Sequence, residues 1–278
     1  MSTTTAQSPI RQRTRSCAVE LACHRCDHHY PLEQEVFACP DCGKGLDVVY
    51  DYELAARHFS DVPTAERPQN IWHFEELLPI VDASAQARVG QHAGYTPLIA
   101  ADRLGAELGI ANLYLKDDAS NRPSFSYKDR VVSMSVARLL EKGKQEIGCV
   151  STGNVGTAVA SLAAKAGVAA YVFYPNRLED TKARACMALG AKVCQVEGNY
   201  DEANGRCREL ALQTGMEFAN ITLRPFYAEG AKTAAFEIVE QLDWHAPDHI
   251  ITAAAGGTLS SRLHKGLTEL QLLELSET

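Results

Sequence analysis

Four cysteines near the amino terminus form two pairs with the same spacing. Cys23 and Cys26 enclose two residues, Cys39 and Cys42 also enclose two, and twelve residues separate the pairs. Two thiolates three residues apart on a tight turn can face one cation, and two such turns complete a tetrahedral four-sulfur site. We therefore predict a structural Zn²⁺ site in a zinc-ribbon-like module over residues 17–60. A metal-free ribbon or a redox dithiol is the alternative, although a redox motif would need a thioredoxin-like unit around one pair.

One lysine stands at the head of an amphipathic helical pattern. Lys128 follows the polar, proline-containing stretch 123–127 and precedes the predicted helix 129–142. The positive end of a helix dipole favours a neutral amine, which is the form that condenses with an aldehyde cofactor. The position alone also fits an ordinary solvated lysine, so the spacing leaves both interpretations open.

Two short polar stretches each follow a predicted strand and open a predicted helix. The first is Ser-Thr-Gly-Asn at 151–154, and the second is Ala-Gly-Gly-Thr at 255–258. Backbone N–H groups at the start of a helix bind anions such as carboxylate or phosphate. A plain helix cap at 151–152 and a tight glycine turn at 256–257 are the alternatives.

The rest of the chain alternates strand-like and helix-like segments, which predicts βαβ units and a parallel sheet. The predicted strands are 113–116, 147–150, 169–174, 192–197, 217–220 and 249–253. The predicted helices are 129–142, 153–166, 179–189, 201–213, 228–242 and one that begins at 259.

Composition limits the classes of function. The 278 residues carry a net charge of -8, which argues against nucleic acid as a partner, and no apolar run approaches the length of a membrane span. We expect a cytoplasmic protein whose nine cysteines are reduced or bind metal. Residues 1–16 are predicted to be a disordered tail, and the catalytic region is expected over 61–278, with a linker at about 61–69.

Taken in order, these stretches resemble the fold-type-II pyridoxal-phosphate enzymes, the tryptophan-synthase-β-like superfamily. Residues 96–98 (Thr-Pro-Leu) resemble its entry motif, 123–130 resemble P-[ST]-x-S-[FY]-K-D-R, and 151–154 resemble S-[ST]-G-N. Residues 229–233 (Glu-Gly-Ala-Lys-Thr) and 257–259 (Gly-Thr-Leu) are similar to segments of the threonine-synthase-like branch. The cysteine ribbon ahead of the catalytic body is typical of many members of that branch.

The resemblance implies roles for individual residues. Lys128 would be the Schiff-base lysine, and Asn154 would contact the O3′ atom of pyridoxal 5′-phosphate. Residues 255–258, which are Ala255, Gly256, Gly257 and Thr258, would bind the cofactor phosphate, although Ala255 replaces the usual first glycine. The carboxylate of an amino-acid phosphate substrate would be bound by Ser151, Thr152 and Gly153. The candidates for holding the substrate phosphate are Lys116, Arg130 and Lys232.

The implied fold is α/β: an N-terminal zinc ribbon, then two parallel-sheet lobes, the smaller at about 129–219 inserted in the larger. The cofactor would lie in a crevice at the carboxyl ends of the strands. The oligomeric state is left open, a homo-oligomer included. Only twelve residues follow Gly266, and no residue matches the family's partner of the pyridine nitrogen. We therefore expect a truncated chain, one completed by a partner, or a shortened and impaired member.

The implied reaction converts O-phosphohomoserine and water to threonine and phosphate. Lys128 would act as general base at the substrate Cα. Two alternatives stay open within the superfamily: a serine or threonine dehydratase, and a cysteate-synthase-like β-replacement enzyme that uses O-phosphoserine. A third alternative is a non-catalytic binding module built from the ribbon and a partial sheet.

Overall fold

The computed structural model describes residues 12–175 and 180–276. Residues 17–60, which we call the cysteine module, contain a three-stranded antiparallel sheet and one helix. The strands are β1 (Ala18–Cys23), β2 (His29–Pro31) and β3 (Leu46–Tyr50), in the order β2-β1-β3. Helix α1 (Tyr52–Ser60) follows, capped by the Asp51 side chain, which accepts a hydrogen bond from the Leu54 N–H.

The segment just ahead of the cysteine module is bound to the body, which differs from the predicted tail of residues 1–16. The Thr14 hydroxyl donates to the carbonyl of Ile80 at 2.6 Å, and the Ser16 hydroxyl donates to that of Leu78 at 2.5 Å. Arg13 forms a backbone bridge with Asp82. The acceptors of these hydroxyls are distant in sequence, so the local composition of residues 1–16 could not predict the contacts. Residues 1–11 of the predicted tail lie outside the described residues.

The predicted linker at 61–69 is anchored rather than free. The Arg67 guanidinium is buried and donates to Glu76 at 2.9 Å and to the carbonyl of Phe59 at 3.0 Å. Two 3₁₀ helices (Thr64–Glu66 and Ile71–Leu77) and helix α2 (Ala83–Arg88) then lead to β4.

A short antiparallel pair comes next. Strand β4 (Leu98–Ala100) pairs with β5 (Tyr114–Lys116), and helix α3 (Asp102–Leu108) joins them. The predicted strand at 113–116 is therefore present one residue shorter.

The predicted parallel sheet is confirmed. It consists of β6 (Glu146–Val150), β7 (Ala169–Pro175), β8 (Lys192–Val196) and β9 (Glu217–Phe218), in the order β8-β7-β6-β9. All three strand pairs are parallel, as expected when a helix crosses between successive strands. The helices are α4 (Lys128–Glu141), α5 (Asn154–Ala166), α6 (Asp180–Ala188) and α7 (Tyr200–Thr214). Glu179, the predicted start of α6, lies outside the described residues.

The predicted helix 228–242 begins earlier and is interrupted. The structure has α8 (Arg224–Glu229), a 3₁₀ turn at Gly230–Lys232, and α9 (Thr233–Gln241). Helix α10 (Thr258–Leu272) follows the second polar stretch, close to the predicted start. None of the helices formed by the described residues has the length and apolar character that a membrane span requires.

The predicted strand at 249–253 was wrong. These residues form no regular structure, and Ile251 is 94% exposed. A strand needs a hydrogen-bonded neighbour, and among the described residues no strand pairs with this segment. The apolar run at Ile250–Ile251 therefore has strand propensity without a partner that would order it.

Candidate functional site

Lys128 is the first residue of α4, where the sequence placed it. Its side chain is half-buried, and its Nζ lies 4.0 Å from the centroid of the Tyr127 ring and donates to the Tyr127 hydroxyl. The loop before it is tied back onto the helix, because Asp129 accepts a hydrogen bond from the Ser124 N–H at 2.9 Å. The Ser126 hydroxyl also accepts from the Lys128 N–H at 3.2 Å. The amine is thus held at a helix start and not left on a free loop.

The Ser-Thr-Gly-Asn stretch forms a turn between β6 and α5. The buried Ser151 hydroxyl accepts from the N–H groups of Gly153 at 3.1 Å and Gly156 at 2.9 Å. Thr152 and Asn154 are exposed at the open side of this turn. The Asn154 side chain, at the first position of α5, is therefore free to meet a ligand in solution.

The second polar stretch forms the turn ahead of α10. Ala255 and Gly256 are exposed, and Gly257 has φ +75°, a left-handed conformation that glycine adopts at little cost. No atom lies within 4 Å of a Cβ built on Gly256 or Gly257, so the space in front of this turn is open. No side chain caps α10, which leaves the first N–H groups of the helix available to an anion.

An arginine that the sequence analysis missed lies beside this turn. The half-buried Arg224 donates from Nη2 to the Thr258 hydroxyl at 2.6 Å. It also lies over the Tyr227 ring, with Cζ 5.3 Å from the ring centroid. Arg224 belongs to α8, 34 residues before Thr258. Only the packing of α8 against α10 reveals it, because no local motif marks the position.

One neighbour of each of the three stretches packs against the same large hydrophobic cluster. These neighbours are Tyr127, Val155 and Leu259, which are partly buried. Burial raises the pKa of the Tyr227 phenol, the nearby Tyr127 adds to this effect, and the Arg224 charge opposes it. A cleft of about 440 Å³ is lined by Lys116, Tyr127, Thr252 and Leu259, next to Lys128 and to the second turn, but not by residues 151–154. Its volume is within the range of roughly 300–1,000 Å³ of small-molecule sites.

Two of the residues predicted to hold a substrate phosphate form ion pairs with carboxylates of the protein. Arg130 is completely buried and donates to Glu237, to Asp118 at 2.7 Å and to the Thr233 hydroxyl at 2.9 Å. Lys116 is 11% exposed and is 2.8 Å from Glu237. A buried cation that is already paired with carboxylates cannot also reach a phosphate in a cleft. Arg130 does not line the cleft, whereas Lys116 lines it with its ammonium group paired to Glu237.

Lys232, the third candidate for the substrate phosphate, is also fully buried. Its Nζ lies 2.7 Å from both Glu229 and Glu269 and 4.0 Å from the centroid of the Tyr50 ring. It belongs to the junction with the cysteine module, and the prediction fails for the same reason. Sequence spacing identifies a cation but not the carboxylates that the fold packs around it.

A different lysine faces the Ser-Thr-Gly-Asn turn. Lys182 of α6 has its Nζ 3.5 Å from the position of a Cβ built on Gly153. Helix α6 crosses the parallel sheet beside α5, and this packing brings a cation to the turn from 29 residues along the chain. The sequence analysis missed Lys182, because the helical pattern of α6 does not show which neighbouring element its lysine approaches.

The four predicted metal ligands are brought together. The Sγ atoms of Cys23 and Cys42 are 3.4 Å apart, as are those of Cys26 and Cys39, and all four lie within 4.8 Å of one another. Thiolates at about 2.3 Å from a tetrahedral Zn²⁺ lie roughly 3.8 Å apart, so the cluster suits that ion. The Tyr30 hydroxyl, 3.1 Å from the sulfur of Cys39, lowers the pKa of this thiol to about 6, which favours the metal-binding thiolate.

Residues 89–273 match the family model described as pyridoxal-phosphate dependent enzyme. The match covers more than half of the chain and includes Lys128 and both polar turns. The protein therefore belongs to the pyridoxal-phosphate dependent enzyme family.

Curated relatives refine this similarity. The chain is 35% identical over 251 residues to a threonine synthase of Methanocaldococcus jannaschii, a match that covers 90% of this chain and 61% of the relative. It is 33% identical over 259 residues to a threonine synthase of Methanosarcina acetivorans, covering 93% of this chain and 62% of the relative. The chain thus spans about three-fifths of the length of these relatives.

Solved structures support the fold. Diaminopropionate ammonia lyase of Escherichia coli in its apo form superposes with a TM-score of 0.57 at 19% identity, covering 92% of this chain and 66% of that chain. The processed form of threonine deaminase isoform 2 from Solanum lycopersicum gives 0.53 at 24% identity, covering 66% and 49%. At these identities the likeness establishes the fold alone.

Proposed function

We propose that this chain is a pyridoxal-phosphate-dependent lyase of the threonine-synthase type, which converts O-phosphohomoserine and water to threonine and phosphate. The proposal rests on one observation. Lys128 begins α4, and its neighbour Tyr127 packs on the same hydrophobic cluster as Val155 and Leu259, which directly follow the turns at 151–154 and 255–258. The similarity to archaeal threonine synthases at 33–35% identity supports this choice of reaction.

The residues around the second turn suit the cofactor phosphate. The turn is open in front of Gly256 and Gly257, the start of α10 has no side-chain cap, and Arg224 adds a positive charge at Thr258. Backbone N–H groups and a guanidinium are the usual donors to phosphate. The Cβ of Ala255 is no obstacle, because this residue is exposed. When bound, the cofactor supplies an electron sink for negative charge that develops next to the substrate amino group.

Lys128 would hold the cofactor through its amine. The same amine would serve as the general base that takes the proton from the substrate Cα. The Tyr127 ring and hydroxyl position the lysine. The half-buried setting limits the access of bulk water to this amine.

The two ends of the substrate are recognised by different elements. We assign the substrate carboxylate to the turn at Ser151–Gly153, where the exposed Thr152 offers its hydroxyl. Lys182 approaches the same turn from α6 and is the cation that we assign to the substrate phosphate. A flexible amine that is not locked in a buried ion pair can follow a phosphate as it leaves.

The cysteine module is proposed to bind one structural Zn²⁺ through Cys23, Cys26, Cys39 and Cys42. The close approach of the four sulfurs and the low pKa of Cys39 support this assignment. Four protein ligands complete the coordination of the ion, so it takes no part in the chemistry.

Phosphate release distinguishes the candidate reactions. The full-length chain, saturated with pyridoxal phosphate, would be assayed for inorganic phosphate with O-phosphohomoserine and with O-phosphoserine, and for ammonia with serine and threonine. The proposal predicts phosphate release and threonine from O-phosphohomoserine, and no such release by Lys128→Ala. An exposed lysine on α5, changed in Lys165→Ala, serves as the matched control and should keep wild-type rates.

Three other results would each replace the proposal with a different function. Turnover of O-phosphoserine alone would indicate a β-replacement enzyme. Ammonia from serine or threonine without phosphate chemistry would indicate a dehydratase. Cofactor binding with no turnover of any of the four compounds would indicate a binding module.

A further inference from the structure

We infer that the cysteine module is a brace for the cofactor site, and that Asp47 and Glu35 are the positioning residues through which it holds α10 and α4. Metal occupancy of the four cysteines would therefore set the affinity for pyridoxal phosphate at a site to which the metal contributes no ligand. The inference rests on the proposed function, since it assumes that the turn before α10 and Lys128 bind the cofactor.

The first contact of the brace is with α10. A largely buried cluster of three carboxylates and three cations, which we call the junction cluster, joins the cysteine module to α8, to the 3₁₀ turn at Gly230–Lys232 and to α10. Its members are Asp47, Glu229, Lys232, Arg262, Lys265 and Glu269. Asp47 of β3 is the member that the module contributes, and it accepts from Arg262 and, at 3.0 Å, from Lys265.

The junction cluster includes residues of α10 that closely follow the turn at 255–258, to which we assign the cofactor phosphate. Arg262 is one helical turn after Thr258, and both Arg262 and Lys265 also lie 2.9 Å from Glu229. Lys265 donates further to the carbonyl of Val48 at 2.8 Å, so β3 contacts α10 through its backbone as well. The first two turns of α10 are thus fixed between the module and α8, and with them the N–H groups that face the phosphate.

The pairing in this cluster is costly to disturb. Glu229, Lys232 and Glu269 are at most 1% exposed. Tyr50 of β3 adds a hydrogen bond from its hydroxyl to Glu229 at 2.9 Å. Removing one partner from a buried ion pair leaves an uncompensated charge, which the structure relieves by moving the helix or admitting water. Asp47 itself is 31% exposed, but its loss would leave the mostly buried Arg262 and Lys265 near the start of α10 with one carboxylate fewer.

The second contact of the brace is with α4, the helix that Lys128 begins. Arg138 donates to the carbonyl of Leu32 at 2.7 Å, and Lys142 lies 2.9 Å from Glu35. Arg138 lies in the last turn of α4 and Lys142 directly follows the helix, at the end opposite to Lys128. A helix packed along its length transmits a shift at one end to the other, because protein interiors do not deform continuously.

The metal site fixes both contacts at once. Cys23 at the end of β1 is in register with Leu46, the residue before Asp47. Glu35 and Leu32 lie in the loop between the two cysteine pairs. The module's strands are three to six residues long, so the ion is needed to hold this loop and β3 in place. Without the ion, Asp47 and Glu35 lose their common support.

The experiment measures cofactor affinity and metal retention in the full-length chain. Pyridoxal phosphate is titrated by its visible absorbance, with Zn²⁺ present and after removal by a chelator, in wild type, Asp47→Asn, Glu35→Gln and Glu53→Gln. Glu53 is an exposed carboxylate on α1 of the same module and serves as the matched control. Circular dichroism establishes that each variant is folded.

If the cysteine module acts as a brace, some of these variants should bind pyridoxal phosphate more weakly than wild type. Asp47→Asn should raise the Kd for pyridoxal phosphate about 10-fold, which corresponds to about 1.4 kcal/mol, and Glu35→Gln should raise it less because Glu35 is 69% exposed. Glu53→Gln should leave it unchanged. Metal removal should weaken cofactor binding strongly in wild type and less in Asp47→Asn, since the contact with α10 is already lost in that variant.

Thermodynamic reciprocity gives a second readout that does not depend on any variant. If metal strengthens cofactor binding, bound cofactor must strengthen metal binding by the same factor. The affinity for Zn²⁺, measured by competition with a chelator, should therefore be higher when pyridoxal phosphate is bound. A merely structural zinc ribbon would show no such dependence.

Two results separate the inference from the proposed function. A wild-type chain whose Kd for pyridoxal phosphate is the same with and without Zn²⁺ would overturn the brace and leave the proposed function intact. A wild-type chain that binds no pyridoxal phosphate would overturn the proposed function and the brace together. If Asp47→Asn does not fold, Glu35→Gln and the reciprocal measurement on wild type still decide.

Discussion

At the scale of single residues, the informative contrast is between cations that are locked in place and cations that are available. Arg130, Lys116 and Lys232 are the predicted ligands of the substrate phosphate, yet Arg130 and Lys232 are fully buried in ion pairs and Lys116 is paired with Glu237. Lys182 and Arg224 lie outside the motifs. Lys182 lies beside the turn at 151–154, and Arg224 lies beside the turn at 255–258. Local spacing locates Lys128 and the turns, because these depend on helix starts. It cannot locate side chains that distant helices bring in.

Replacing Lys182 tests its assignment to the substrate phosphate. Lys182→Ala removes one charge-assisted hydrogen bond, worth about 1.5–3 kcal/mol, so kcat/KM for O-phosphohomoserine should fall about 10- to 100-fold. The Kd for pyridoxal phosphate should not change, since the cofactor phosphate is assigned to the other turn. Steady-state kinetics and a cofactor titration measure the two effects. Equal kcat/KM values in Lys182→Ala and in the control Lys165→Ala would refute the assignment.

At the scale of elements, helices and parallel strands were predictable and the breaks between them were not. The strands β6, β7 and β8 are short apolar runs between helical patterns, and these local signals place them to within one or two residues. The interruption at Gly230 has a tertiary cause. A Cβ there would lie 2.8 Å from the Cα of Val131, so glycine is needed where α8 crosses α4. The segment 249–253 shows the reverse, because its strand propensity is not matched by a pairing neighbour.

The close approach at Gly230 predicts opposite effects for the same substitution at two glycines. Gly230→Ala forces a methyl group against the backbone of α4 and should lower the free energy of unfolding by roughly 1–3 kcal/mol. Gly205→Ala, on the exposed face of α7 with open space around it, should raise it by about 0.5–1 kcal/mol. Urea denaturation measures both. A neutral or stabilising Gly230→Ala would show that α4 and α8 are not in contact there.

At the scale of the whole molecule, buried ion pairs join segments that are distant in sequence. The junction cluster connects the cysteine module to the body, and Glu237 joins α9 to α4 and β5 through Arg130 and Lys116. The composition predicted a globular chain of ordinary charge content but contains no record of these pairings. They form only once the elements have packed, which is why the sequence analysis assigned Arg130 and Lys232 to a ligand.

These pairs predict how stability responds to acid. Burial opposes the Glu237 charge, but Arg130 and Lys116 overcome this and lower its pKa from 4.5 to about 2. A carboxyl whose pKa is lower in the folded state stabilises the fold fully above its unfolded pKa. Its contribution should therefore be present above about pH 4.5 and be lost as the pH falls from 4.5 through about 2.

The variant Glu237→Gln isolates this contribution. At neutral pH it leaves Arg130 with one carboxylate fewer and should lower the free energy of unfolding by about 3–5 kcal/mol. The difference from wild type should shrink as the pH falls, because wild-type Glu237 then also becomes neutral. Urea denaturation over this pH range measures the difference, with the exposed Glu107→Gln as control. A difference that stays constant with pH would show that Glu237 is not the titrating group.

The central claim is that the amine of Lys128 attaches pyridoxal phosphate. The most direct measurement is reduction of the cofactor-saturated, full-length chain with borohydride, followed by peptide mapping by mass spectrometry. If Lys128 attaches the cofactor, the added mass of the reduced cofactor should be on Lys128, and Lys128→Ala should gain none. Added mass on a different lysine, or no added mass in wild type, would contradict it.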